Sequence, residues 1–281
     1  MKDKIGEISI RDIPDEILNS ILHAVAHYTV GFLRVDDTPP DKNLSLLGSG
    51  VLVTAGSVHA ILTAHHVLKV LPRTGRLGLV LSETMTAATI STDALRYLEI
   101  ARGTRDSEGP DLGAVILSPV IAAELRAKKT FHNLDNTRER FLTQIPDVKH
   151  GLWILQGFVG EWTKVDLHVD GYAKTFGFYE LSSSGIINAS YSIGDHDYFV
   201  LPVSYRGQSR IPHNFGGTSG GGLWQVRLVQ RKSDGQLINQ TPVLSGIAFY
   251  QEPIQQEKSA VKCHGRRSVY EIAYRAILAT T

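Results

Sequence analysis

From Tyr28 onward the chain runs as short apolar stretches rich in Val, Ile, Thr, Phe and Tyr, each closed by Gly, Pro, Asp, Asn or Ser. Such runs are too short and too β-branched for helices, and the closing residues are those that turns require. Strands are expected over 28–35, 50–54, 59–63, 77–82, 94–101 and 112–117. A second set is expected over 152–158, 164–167, 175–181, 185–190, 198–201, 223–229 and 243–250. Pro202 has no N–H to give a ladder and is expected to end the strand before it. Two runs of strands, with no regular alternation of strand and helix, predict an antiparallel barrel or sandwich in each half.

Helices are expected only at the margins. Asp12 is a candidate cap for an opening helix, whose Ile17, Leu18, Ile21, Leu22 and Val25 share one face. A second helix is expected over 120–129, and a terminal one over 267–279 with an apolar stripe of Val269, Ile272, Ala273, Ala276 and Ile277. The polar interval 130–149 reads as a crossing linker. The chain thus divides into a helical extension (1–27), a first β half (28–129), the linker and a second β half (150–281). His23 and His27 stand one helical turn apart, but no general-base Glu or third ligand accompanies them, so no metal is expected.

At 281 residues and 42% hydrophobic, the chain has enough apolar surface for a sizeable core. Its 29 basic and 28 acidic residues nearly cancel, which gives no reason to expect nucleic acid or an anionic membrane as partner. A single cysteine, Cys263, excludes an internal disulfide framework and fits a reducing compartment. No apolar run of signal-peptide type follows the first lysines, and none approaches the ~20 residues of a membrane span, so a cytoplasmic protein is expected.

Three stretches carry candidate chemistry. In Phe215-Gly216-Gly217-Thr218-Ser219-Gly220-Gly221-Gly222, five glycines surround one Ser. Glycine permits the tight backbone on which a hydroxyl and neighbouring amides face one point, as a nucleophile with an oxyanion hole requires. Thr63-Ala64-His65-His66 follows an apolar strand, and Asp111 opens another. Forty-five residues separate His66 from Asp111, and 108 separate Asp111 from Ser219.

These motifs resemble the Thr-Ala-Ala-His, Asp-Ile/Leu-Ala and Gly-Asp-Ser-Gly-Gly motifs of trypsin-like (chymotrypsin-fold) serine peptidases. The order His, Asp, Ser is also theirs, and differs from that of subtilisin and the α/β-hydrolases. The resemblance spans 28 to the C-terminus. It implies an all-β fold of two antiparallel β-barrels with an N-terminal helix and a C-terminal helix on the second barrel. It implies a serine endopeptidase acting on protein or peptide substrates without a cofactor.

The roles carried over are Ser219 as nucleophile, His66 as base, Asp111 as its orienting carboxylate, and the amides of Gly217 and Ser219 as oxyanion hole. His65 is the rival base, standing where the family has a small Ala, and Asp106 is the rival acid in a polar run. Thr218 replaces the family's acidic residue, so activation through a new N-terminal amine is not expected. The site would be ordered constitutively or by an unknown regulatory partner. His213 falls at the family's specificity position and supplies no carboxylate for Lys or Arg. Polar, acidic or aromatic side chains are expected there, with Asp195 or Glu252 the alternative acids should basic residues be preferred. Phe249 and Tyr250 lie on the strand expected to flank the pocket. The alternative reading is a weak or inactive member of the same fold used as a peptide-binding scaffold.

Overall fold

The computed structural model describes residues 13–36, 43–82, 87–144, 147–149, 151–167, 174–206, 211–230 and 237–281. The protein is mostly β, with two large antiparallel sheets, one of them curled into a half-barrel.

Helix α1 (Asp15–Ala26) is followed by β1 (Thr29–Asp36), β2 (Asn43–Ala55), β3 (Val58–Thr63), α2 (His65–Val70), β4 (Arg76–Val80), β5 (Ala87–Ser91), β6 (Leu95–Arg102) and β7 (Asp111–Leu117). These strands form the first sheet in the order β5-β4-β1-β2-β3-β7-β6, and the two-residue β8 (His132–Asn133) joins it beside β2, in parallel. Helices α3 (Pro119–Arg126) and α4 (Arg138–Thr143) lie on the way to the second sheet. That sheet contains β9 (Leu152–Leu167), β10 (Lys174–Gly185), β11 (Ala189–Ile193), β12 (His196–Ser204) and β13 (Gly222–Val226), then β16 (Val243–Gln251) and β17 (Lys258–His264). Its order is β10-β9-β13-β16-β17-β12-β11, and β14 (Leu228–Gln230) pairs with β15 (Leu237–Asn239) in a separate ribbon.

The two-residue period of the strands divides most apolar side chains among three large clusters, with Leu33, Val80 and Phe158 in a smaller fourth. Leu52, Ile61 and Val115 face into the first sheet with Val30 and Phe32. Their neighbours Val51, Leu62 and Ala114 face the other way, against Ile154, Trp224 and Ile247 of the second sheet. The alternate residues Leu155, Leu223 and Ala248 fill the far side of that sheet with Phe199 and Val261. β7 and the part of β3 after His59 are buried on both faces, which is why Ala60-Ile61-Leu62 and the stretch after Asp111 read as apolar runs.

Most expected strands form, with differences that have physical causes. The runs 152–158 and 164–167 belong to one long strand, β9, and the run 223–229 is split at the exposed Arg227 into β13 and β14. The run 185–190 straddles the turn between β10 and β11. Pro202 does not end its strand: it pairs with Ala260 of β17, while β11 on the other side pairs only as far as Val200. Its missing N–H therefore falls on a locally free edge. The interval 130–149 carries β8 and α4, in which Phe141 is buried.

Asp12, the expected cap of α1, lies outside the described residues, and Pro14 stands ahead of the first turn. The terminal helix begins as a π-helical segment (Ser268–Ala273) and continues as α5 (Tyr274–Leu278). Rather than lying only on the second sheet, it bridges the two. The π-helical segment packs on β12 and β16, and α5 on β2, β3 and β6. Val269, Tyr270, Ala273 and Ile277 fill the core between the sheets beside Ile21 and Val25 of α1. No helix among the described residues is long and apolar enough to cross a membrane.

Candidate active site

β3 ends at Thr63, Ala64 keeps the extended backbone, and α2 begins at once with His65 and His66. Successive residues of a helix diverge by about 100° around its axis, so the two rings take different partners. His65 is buried and its Nε2 lies 3.2 Å from the exposed Glu99 carboxylate on β6. That hydrogen bond holds the Glu99 carboxyl below its usual value. His66 is about half exposed, and its Nδ1 lies 2.5 Å from Asp111 Oδ2. Its backbone N–H also donates to Asp111 Oδ1 at 2.8 Å. Among the described residues, His66 Nε2 has no hydrogen-bond partner.

Asp111 is buried at the first position of β7. Burial alone raises its pKa, but the hydrogen bonds from the His66 ring and amide outweigh it and hold the carboxyl below its ordinary value. Its own N–H donates to His264 Nε2 at 3.0 Å. His264 is buried on β17 among Phe249 and Tyr198, and burial pushes its pKa down to about 3. It is therefore neutral near pH 7, with Nε2 the acceptor and Nδ1 the protonated nitrogen. Asp106, by contrast, sits exposed in a turn.

The Ser219 loop is ordered through its carbonyl groups. Gly216 O accepts from Gly160 N at 2.8 Å, and Thr218 O accepts from Gly221 N at 2.8 Å. Gly217 O accepts from Ser49 Oγ at 2.6 Å, and Ser219 O accepts from Ser49 N at 2.8 Å. In a planar trans peptide the N–H points opposite to the C=O, so fixing the Gly216 and Thr218 carbonyls aims the amides of Gly217 and Ser219. Those two amides donate to no group among the described residues, whereas the amides of Gly216, Thr218, Gly220 and Gly221 all do. Ser219 Oγ likewise makes no hydrogen bond among the described residues, and the residue is half-buried.

Two glycines of the loop combine a positive φ with no room for a Cβ. Gly217 has φ +93°, and a Cβ on it would lie 2.7 Å from Leu46 Cδ2 and 2.8 Å from Gly160 N. Gly220 has φ +86°, and a Cβ there would lie 2.1 Å from both Ser49 O and Thr63 Oγ1. Gly220 thus seats the loop on the end of β3, three residues before His66. Ser49, buried on β2, joins the sheets: its Oγ also accepts from Phe158 N of β9 at 2.8 Å, and its carbonyl accepts from Thr63 Oγ1 at 2.7 Å. Thr218 is buried with its hydroxyl on Phe215 O at 2.5 Å.

Beside Ser219 lies a recess of about 290 Å³, walled by Phe215, Ala248, Phe249, Tyr250 and Val261, with Gln251 at its edge. Among the described residues, no acidic side chain lines it. Gln251 receives Phe215 N at 2.9 Å and donates to His213 O at 3.0 Å. The ring of His213 is exposed and stacks on Tyr205, 5.3 Å between centroids. The two alternative acids are engaged elsewhere, Asp195 with Arg267 and Glu252 with Lys262.

His66 and Asp111 are thus joined directly. Phe249 links their neighbour His264 to the recess that holds Ser219. Sequence reasoning missed Ser49 and His264. The glycines on either side of Ser49 were the one available signal, and nothing marked His264. Cys263 is buried, and burial pushes its thiol pKa up, so it is an inert core residue. Among the described residues no group of three or more His, Cys, Asp or Glu could hold a metal ion. His23 and His27 meet edge to face, 4.7 Å between centroids.

The chain matches no known family model and no curated protein sequence.

Proposed function

We propose that the protein is a serine endopeptidase of trypsin-like architecture, with its site between two facing β-barrels and Ser219, His66 and Asp111 as its triad. The observation that carries this reading is the pair of amides at Gly217 and Ser219 which, with the Ser219 hydroxyl, have no hydrogen-bond partner among the described residues. A loop whose carbonyls are all fixed and whose amides are left free in alternation is arranged to receive an oxyanion.

In this mechanism Ser219 Oγ attacks the scissile carbonyl while His66 Nε2 takes its proton. Asp111 holds Nδ1–H, which leaves Nε2 as the basic nitrogen, and stabilises the imidazolium that forms. Negative charge on the carbonyl oxygen is met by the Gly217 and Ser219 amides. The imidazolium then protonates the leaving amine, and water repeats the sequence on the acyl-enzyme. The neutral His264 accepts the Asp111 amide and so fixes the position of the carboxylate without adding a competing charge. The substrate side chain before the cut would enter the recess walled by Phe215, Ala248, Phe249 and Val261. Its single buried thiol and disulfide-free sheets suit work in a reducing compartment such as the cytoplasm.

A fluorophosphonate probe tests this reading. The wild type should be labelled covalently and hydrolyse peptides, and Ser219→Ala should lose both while keeping its Tm nearly unchanged, since one oxygen is removed. Absence of labelling in a folded wild type would favour the scaffold alternative.

A further inference from the structure

Away from that cleft, and sharing no residue with it, a cavity of about 930 Å³ opens between α4, the β14–β15 ribbon and the turn after β17. Arg266 forms part of its wall and is only 5% exposed. Its Nε and Nη2 donate to Ser245 Oγ, each at 3.1 Å, and Nη2 also donates to Gln225 Oε1. The guanidinium lies over Phe141 and Trp153. Every one of these partners is neutral. Among the described residues Arg266 pairs with no carboxylate.

A buried cation needs a counter-charge as well as hydrogen bonds, because neutral acceptors do not repay the loss of its hydration. Here the surroundings make the deficit larger. Burial lowers the pKa of Arg266 to about 10, which leaves it charged at pH 7; Tyr270 and the Asp197 carboxylate, both outside the cavity wall, offset part of that shift, while Arg227 and Arg140 of the same cavity add to it by repulsion. Arg227 meets Asp147 at 3.7 Å, the single carboxylate in the lining among the described residues. The one histidine of the wall, His132, is held at about 4 by burial and is neutral. Among the described residues of the wall, three guanidinium groups stand against one carboxylate, an excess of two positive charges.

From this juxtaposition we infer that the cavity is a binding site for a doubly charged oxyanion, held by Arg140, Arg227 and Arg266. Guanidinium groups match planar or tetrahedral oxyanions through paired N–H donors, and side-chain amides such as Gln144 and Asn136 in the same wall can complete the shell. A dianion cancels the excess charge; a chloride or a single carboxylate does not. The inference is independent of the proposed peptidase activity.

Calorimetric titration of the full chain with inorganic phosphate, at ionic strength held constant with chloride, tests it. Succinate forms a second arm that separates a phosphate group from a dicarboxylate as the source of the charge. Binding of either is expected, with a rise in Tm. The variants Arg140→Gln and Arg227→Gln change exposed side chains, and each should fold normally while weakening the affinity about tenfold, the loss of one charge-assisted contact. A wild type that takes up neither anion at millimolar concentration overturns the inference, as does binding that both variants leave unchanged.

Discussion

The two sides of the candidate site are built on opposite rules. On the first sheet Asp111 is saturated: it receives the His66 ring and amide, and its own N–H is received by His264. On the second, the Ser219 loop keeps a hydroxyl and two amides without partners among the described residues. Satisfied polar groups fix a position, whereas unsatisfied ones at a surface bind whatever arrives. Where the proposed mechanism needs an imidazole held in one orientation, both Asp111 oxygens and the Asp111 amide are bonded. The side that must meet a transient charge has its carbonyls tied and its donors open.

This contrast is broken most severely at the base. His66→Ala should lower kcat by on the order of a thousandfold or more, since it removes proton transfer while Ser219 remains. His65→Ala should leave kcat within about tenfold of wild type, because that buried ring bonds Glu99 of β6, not Asp111, and its loss acts through packing. Steady-state kinetics on one peptide substrate separates the two. Reversal of their order would exchange the functions assigned to the neighbouring rings.

On the nucleophile side the corresponding residue is Ser49. Its amide and hydroxyl hold two of the four loop carbonyls and its oxygen takes the amide of Phe158, so loop and second sheet are fixed through one side chain of the first. Thr218 forms no ion pair that could order the loop after proteolytic processing; the Ser49 clamp stands in that place. Ser49→Ala leaves a buried carbonyl and a buried amide unbonded, at about 1–3 kcal/mol each. The expected result is a lower Tm and a kcat reduced about tenfold to a hundredfold, with KM nearly unchanged, because the amides are misdirected in the transition state more than in the substrate complex. A loss confined to Tm would make the clamp a matter of folding alone.

How much of this was legible in the sequence follows the same division. The central strands are legible because β7 and the part of β3 after His59 are buried on both faces, which leaves short apolar runs. β17 was not, since Lys258, Ser259 and Lys262 interrupt it, although Ala260, Val261 and Cys263 are buried. α4 was hidden in a polar interval because its buried anchor is the single Phe141. Motif position separated His66 from His65, and helix geometry supplies the reason. Ser49 could not be assigned: its hydroxyl reaches a carbonyl 168 residues away, and no local pattern encodes that bond. His213 illustrates the limit of reading a pocket by offset. It stands where expected in the chain, yet its ring stacks on Tyr205 while its carbonyl is held by Gln251.

The smallest effect concerns specificity, and it sharpens the comparison by adding the recess to the open side. Its walls are Phe215, Ala248, Phe249, Tyr250 and Val261, and the amide of Gln251 at its edge is already bonded to Phe215 and His213. A Lys or Arg entering it would lose hydration with no carboxylate in reach, since Asp195 and Glu252 are paired elsewhere. Apolar side chains would gain about 25 cal/mol for each Å² buried. With some 290 Å³ available, a medium-sized apolar or aromatic side chain is expected before the cut. Discrimination should be about tenfold to a hundredfold over Lys and Arg, the range that one or two methylenes or an unpaired charge contribute in a half-open pocket. Cleavage of a proteome-derived peptide library reads this directly. Enrichment of Lys or Arg before the cut would mean that the recess is not where the substrate side chain lies.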